Sequence, residues 1–311
     1  MSEYLESWLD SEAKNAIVSF VEAVTDSESD EFAPIEDRVA TFDNDGTLWS
    51  EKPLAQGVFI AERLAEAALA DESLRGSEPW ASLAAGDASW IDNAIVKHYS
   101  GDQADLQLLA GAVLSAFGDI GVEEFEQQSA EFLARGLNPI HERPFTELGF
   151  VPMVELLAYL EAHQFTCYIV SGGGRDFMRP VTASMYGIPR ERVVGSSSGL
   201  AFVSDADGAR VVRTATLGIL DDGPTKATQI WERIGRRPLL AAGNANGDVP
   251  MLELATSQPR RTLGLLVSHD DDAREVAYAE GAERAFETAA TRGWTAISMA
   301  NHWSRVFAHD V

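Results

Sequence analysis

Short apolar runs punctuate this chain, and each runs into a polar or glycine-rich stretch. Val39-Ala40-Thr41-Phe42 meets Asp43, Phe165 to Val170 meets Ser171 and three glycines, and Val193-Val194 meets Gly195. Leu239 to Ala242 meets Gly243-Asn244, and Leu263 to Val267 meets Ser268-His269-Asp270. Short runs without polar alternation suit strands buried on both faces of a parallel sheet. Helical spacing lies between them. Met153, Leu156, Leu157 and Leu160 share one face, as do Ala227, Ile230, Trp231 and Ile234, behind a Pro224 suited to a first turn. Strands alternating with helices predict an α/β fold, a doubly wound parallel, Rossmann-like sheet of about five or more strands. In such sheets function gathers at the carboxyl ends of the strands.

One stretch breaks the alternation. Residues 54–149 show no strand pattern and carry helical patterns at Val58 to Ala70, Ala88 to His98, Ala104 to Phe117 and Val122 to Arg135. They predict an inserted all-helical cap domain at 54–149 within a core formed by 1–53 and 150–311. Pro139, Pro144 and Pro152 mark the return leg. A hairpin is expected at Ala201 to Val212, turning at Asp207-Gly208.

Composition narrows the function classes. The length of 311 residues allows about two domains at ~150 residues each. Apolar residues at 45% and charged residues at 23% exclude a fully disordered chain, a collagen and a coiled coil. With 24 basic against 49 acidic residues the net charge is −25, which excludes non-specific binding to nucleic acid or to an anionic membrane surface. The one cysteine, Cys167, excludes an intramolecular disulfide and a thiolate metal cluster. The acidic start MSEYLESWLDSEAK lacks the basic start and apolar core of a signal peptide, and no apolar run approaches the ~18 residues of a membrane span. A cytoplasmic protein is expected.

Four segments carry chemistry. In Phe42-Asp43-Asn44-Asp45-Gly46-Thr47-Leu48-Trp49, two carboxylates stand two residues apart just past a buried strand. Such a pair raises its own pKa values unless a cation neutralises it, and a hard divalent ion such as Mg²⁺ suits oxygen ligands. Gly46 permits a tight turn, and Thr47 offers a hydroxyl to an anion. The glycine comes too early for an EF-hand. Ser171-Gly172-Gly173-Gly174 sits between a strand and a helix, where backbone N–H groups form an anion cradle. Lys226 lies in a helix first turn, where the helix dipole disfavours a cation that has no anionic partner. It is one of only four lysines, with Lys14, Lys52 and Lys97. Gly243-Asn244-Ala245-Asn246-Gly247-Asp248 again brings oxygen ligands and glycines before a helix, with Asp248 equally able to cap it.

In this order the four segments resemble those of the haloacid-dehalogenase-like hydrolase superfamily, phosphoserine-phosphatase-like branch. Asp43, Asp45, Gly46 and Thr47 match its DxDGT motif, Ser171 its second motif, Lys226 its third, and Gly243, Asn244 and Asp248 its fourth, GDxxxD. The resemblance covers roughly residues 36–53 and 145–270. It implies a Mg²⁺-dependent phosphatase acting on a small phosphorylated metabolite. Asp43 would be the nucleophile and Asp45 the general acid and base. Thr47, Ser171, Gly172 and Lys226 would hold phosphoryl oxygens, and Asp43, Asp45, Asn244 and Asp248 the metal. The family usually has Asp where Asn244 stands, which leaves the main ligand role between Asn244 and Asp248. It also leaves a catalytically decayed, ligand-binding relative as the alternative. Trp49, Glu51, Lys52, His269, Asp270 and Asp271 are weaker site candidates. Arg175 and Asp176 read as a structural ion pair. Arg63, Arg75, Arg135 and Arg143 are free to meet either a substrate carboxylate or surface acids. The literal GxSxG at Gly195 to Gly199 is followed by a strand pattern, against a nucleophile elbow.

Overall fold

The computed structural model describes residues 4–99, 102–206 and 208–310. In chain order the helices are α1 (Glu12–Thr25), α2 (Ala55–Ala70), α3 (Trp80–Ala84), α4 (Ser89–Tyr99), α5 (Ala104–Ala116), α6 (Val122–Arg135), α7 (Val151–Ala162), α8 (Arg175–Tyr186), α9 (Pro224–Arg233), α10 (Val249–Thr256), α11 (Glu283–Arg292) and α12 (Met299–His302). The strands are β1 (Val39–Phe42), β2 (Thr166–Gly174), β3 (Val193–Asp205), β4 (Gly208–Ile219), β5 (Leu240–Gly243), β6 (Leu263–Ser268) and β7 (Thr295–Ser298). Strand neighbours run in the order β4-β3-β2-β1-β5-β6-β7. Among the described residues, no helix is long and apolar enough to cross a membrane.

The chain forms two compact units, one of residues 1–52, 146–196 and 221–311, the other of 53–145 and 197–220. In the first, all pairings from β3 through β2, β1, β5 and β6 to β7 are parallel. Every residue of β1 and β5 is buried, as expected of strands covered on both faces. Val170, Ile230, Ala241, Met251, Leu252, Leu266 and Trp294 belong to one packed cluster against these strands. The sheet is wound outward from β1 in both directions, so a switch point lies between β1 and β5. There the outgoing loops diverge and leave a crevice at the strands' carboxyl ends.

The second unit holds α2 to α6, of which α2, α4, α5 and α6 lie within a few residues of the expected boundaries and α3 was not expected, with no strand among its described residues 53–145. Leu64, Ala68, Trp80, Leu83, Ile91 and Leu109 form its apolar centre. It is not helical throughout, because residues 197–220 belong to it as well. Those residues carry the antiparallel pairing of β3 with β4, which outruns the expected hairpin at 201–212 in both directions. The ladder is anchored where Val212 is buried and Arg213 lies 3.8 Å over the Phe125 ring. Of the expected turn, Gly208 takes φ +113°, and Asp207 lies outside the described residues.

Candidate active site

β1 ends by handing its pairing to the next residue: Asp43 N donates to Ala242 O of β5 at 2.9 Å. The chain then turns tightly. The Asn44 carbonyl accepts from the N–H groups of Thr47 and Leu48, and Gly46 N donates to Trp49 O. Gly46 sits at φ +72°, in the left-handed region that glycine enters without steric cost. A Cβ there would also come within 2.1 Å of Asn244 Nδ2.

This turn aims Asp43 at the first turn of α9. Lys226 Nζ donates to Asp43 Oδ1 at 2.7 Å and to Asp248 Oδ1 at 2.6 Å, and all three side chains are buried. Asp248 Oδ2 in turn accepts from the backbone N–H groups of Asn244 and Ala245 at 2.9 and 3.0 Å. Gly243 is required here, since its Cβ would lie 2.5 Å from Asp248 Cβ. Burial, then the neighbouring Asp248, push the Asp43 carboxyl well above the usual carboxylate range, against the pull of Lys226. Burial opposes the charge on Lys226, but Asp248 and Asp43 outweigh it and hold the ammonium protonated.

Asp45 faces differently. Its Oδ1 accepts from Trp49 Nε1 at 2.9 Å, and its Oδ2 lies 3.4 Å from Ser171 Oγ. Burial lifts its pKa to about 6 and the nearby Glu51 adds to the rise, while Trp49, Lys226 and Ser171 pull it down. A half-buried carboxyl of this kind, short of water, favours its protonated form in the folded state. Its contribution to stability is therefore complete below pH 3.8 and is lost as pH rises through about 6. Asp45→Asn should raise stability at about pH 7 by about 2 kcal/mol, somewhat below the full worth of the shift because Asp45 is only partly buried. Denaturant melts should show that gain vanish near pH 4; a gain equal at both pH values would contradict the assignment.

Ser171 is buried within β2, which runs on through the glycines to Gly174 rather than stopping at the serine. The ladder with β3 shifts register between Ser171 and Gly174. Ser171 Oγ accepts from Gly173 N at 3.0 Å, and the Gly172 carbonyl accepts from Ser196 Oγ at 2.7 Å. Thr47, expected to present its hydroxyl to an anion, is fully buried and donates to Asn244 Oδ1 at 3.1 Å. Among the described residues, no three His, Cys, Asp or Glu side chains converge on one metal position.

All eight candidates thus stand at the carboxyl ends of β1, β2 and β5 or at the start of α9, around the crevice that the strand order leaves. No family model matches the sequence, and no curated protein matches it. Solved structures do. A protein of unknown function from Bordetella pertussis Tohama I is 16% identical, with a TM-score of 0.53, over 84% of this chain and 97% of its own. One from Anaerococcus prevotii is 13% identical, with a TM-score of 0.52, over 94% and 93%. A phosphoserine phosphohydrolase-like protein from Francisella tularensis is 16% identical, with a TM-score of 0.42, over 80% and 92%. The fold is a doubly wound α/β sheet, shared with the first two of these structures.

Residues outside the four motif segments support the turn after β1. His269 Nε2 lies 2.8 Å from the Gly46 carbonyl and Nδ1 lies 3.1 Å from Glu275 Oε2, whose Oε1 accepts from Ser50 Oγ at 2.8 Å. Glu51 accepts from Asn244 and from Tyr278. Glu275 and Tyr278 lie in an irregular segment after β6 and carry no local signal. Of the other weaker candidates, Lys52 Nζ lies 4.4 Å over the Tyr278 ring, Asp270 caps α12 through Ala300 N and Asp271 pairs with Arg274, while Arg175 and Arg179 hold buried Asp176. Arg63 and Arg75 pair with Glu66 and Glu72. Gly195 to Gly199 lies inside β3, so no nucleophile elbow forms.

Proposed function

We propose that the protein hydrolyses a small phosphate monoester, with Mg²⁺, through an aspartyl-phosphate on Asp43. The observation that carries this reading is Lys226 bridging Asp43 and Asp248. The bridge fixes Asp43 by one carboxylate oxygen and leaves Oδ2 with no hydrogen bond among the described residues. Oδ2 attacks phosphorus, and the bond from phosphorus to the leaving oxygen breaks with its electron pair on that oxygen. Asp45 gives the leaving oxygen a proton. As carboxylate it then takes a proton from the water that attacks phosphorus, and the bond to Asp43 breaks. A pKa of about 6 suits both duties near neutral pH. Lys226 and Ser171, with the N–H groups of the Gly172 turn, hold the phosphoryl oxygens.

The residues fit a hard divalent ion. The donor set is all oxygen, with Asp43 Oδ2 and Asn244 Oδ1 among it, and it is sparse, as suits an ion that keeps several waters. Asp43, Asp45 and Asn244 would hold it. Asp248, whose oxygens already serve Lys226 and two backbone N–H groups, would anchor the loop behind them. Bound there, Mg²⁺ would neutralise charge on the phosphoryl group. The second unit, residues 53–145 and 197–220 where 54–149 was expected, would be the cap that selects a phosphorylated metabolite, in the cytoplasm. Phosphate release from an aryl phosphate should require Mg²⁺ and stop with EDTA; equal rates in both would contradict the metal-dependent reading.

A further inference from the structure

Asn244 is held on both sides. Its Nδ2 donates to Glu51 Oε1 at 3.2 Å and to the Tyr278 hydroxyl at 3.4 Å, while its Oδ1 accepts from Thr47 at 3.1 Å. A carboxylate can only accept, so Glu51 dictates which end of the amide faces it and turns the oxygen to the Thr47 side. Glu51 is itself fixed. The Tyr278 hydroxyl donates to the same Oε1, and the Tyr278 ring stacks on His269 at 4.2 Å. Gly46 makes room for the pair: a Cβ there would lie 2.1 Å from Asn244 Nδ2 and 2.9 Å from Glu51 Cδ.

Charge is distributed unevenly around this turn. Asp43 and Asp248 share Lys226, and Asn244 contributes none. Glu51 forms no ion pair among the described residues, and its Oε1 accepts from the Asn244 amide at 3.2 Å, which sets its carboxylate directly against the turn. We propose that Glu51 sets the divalent-cation affinity of the site, by orienting the Asn244 amide and by supplying the negative charge that the amide lacks. This rests on the reading above that Asp43 and Asn244 hold a divalent ion. It also means that the charge can stand at position 51 or at position 244 but not at both. An aspartate at 244 would set a carboxylate against Glu51 where an N–H now stands.

Calorimetric titration with Mg²⁺, without substrate, tests this on four proteins, with thermal melts confirming that each folds. Glu51→Gln keeps an acceptor for Asn244 and removes only the charge. It should weaken Mg²⁺ binding about tenfold, the scale on which ligand charge tunes hard-cation sites. Asn244→Asp alone should bind no more tightly than the unaltered protein. The double variant Glu51→Gln/Asn244→Asp should return to within ~3-fold of it, because Gln can donate to the new carboxylate. Glu51→Gln binding Mg²⁺ as the unaltered protein does would overturn the inference, as would a double variant no tighter than Glu51→Gln. An unaltered protein that binds no Mg²⁺ would instead remove the cation site, and the proposed function with it.

Discussion

Asp43→Asn should abolish turnover in a protein that still folds. An amide oxygen is a poor nucleophile and cannot form the acyl phosphate, so kcat should fall by at least ~10⁴-fold, the scale of losing a covalent nucleophile. Folding should survive because Asn fills the same space and Lys226 keeps Asp248, 2.6 Å away, as a partner. A carboxyl whose ionisation burial opposes is replaced by a neutral group, so the variant should melt no lower than the unaltered protein. Steady-state rates with melting curves check both halves. Near-normal turnover would exclude Asp43 as nucleophile.

Lys226→Met should damage activity and stability together. Methionine keeps the unbranched stem of lysine up to the ε carbon but leaves Asp43 and Asp248 buried without the cation between them. Removing one partner from a buried ionic cluster costs about 3–5 kcal/mol. Loss of the contact to the phosphoryl group should also lower kcat/KM by several orders of magnitude. The pH dependence follows from the repulsion. Without Lys226 the folded protein favours protonating one of the two carboxyls even more strongly. The penalty should therefore be largest near neutral pH and shrink as pH falls through the raised pKa of Asp43. Urea melts at about pH 7 and about pH 5 read this directly. The same substitution at Lys97, which pairs with Asp105 at the surface, should do neither.

What the sequence shows of this fold depends on where burial is complete. β1, β5 and β6 read plainly because strands covered on both faces carry unbroken apolar runs. β7 has only one buried residue in four, Ile297, and no such run. α9 shows the limit of helical spacing. Its apolar positions put Trp231 on the inner face, yet Trp231 is 58% exposed, while Lys226, Gln229 and Ile230 point inward. The inner face of α9 is partly polar because it meets the carboxylates, so an apolar stripe misjudges its rotation. The motif residues were legible because those after β1 and β5 follow an apolar run and Lys226 opens a helix, where a cation is out of place. Their supports were not: Glu51 meets Tyr278 across 227 positions, and His269 meets Gly46 across 223, separations that no local pattern encodes.

The covalent intermediate on Asp43 is the centre of this account, and rapid-quench trapping tests it most directly. The protein is mixed with Mg²⁺ and a radiolabelled aryl phosphate, stopped in acid within the first turnover, and mapped by peptide. The account predicts label on the peptide that carries Asp43, sensitive to hydroxylamine as an acyl phosphate is, and absent from Asp43→Asn. Label on any other residue would contradict it, as would turnover by Asp43→Asn at the unaltered rate.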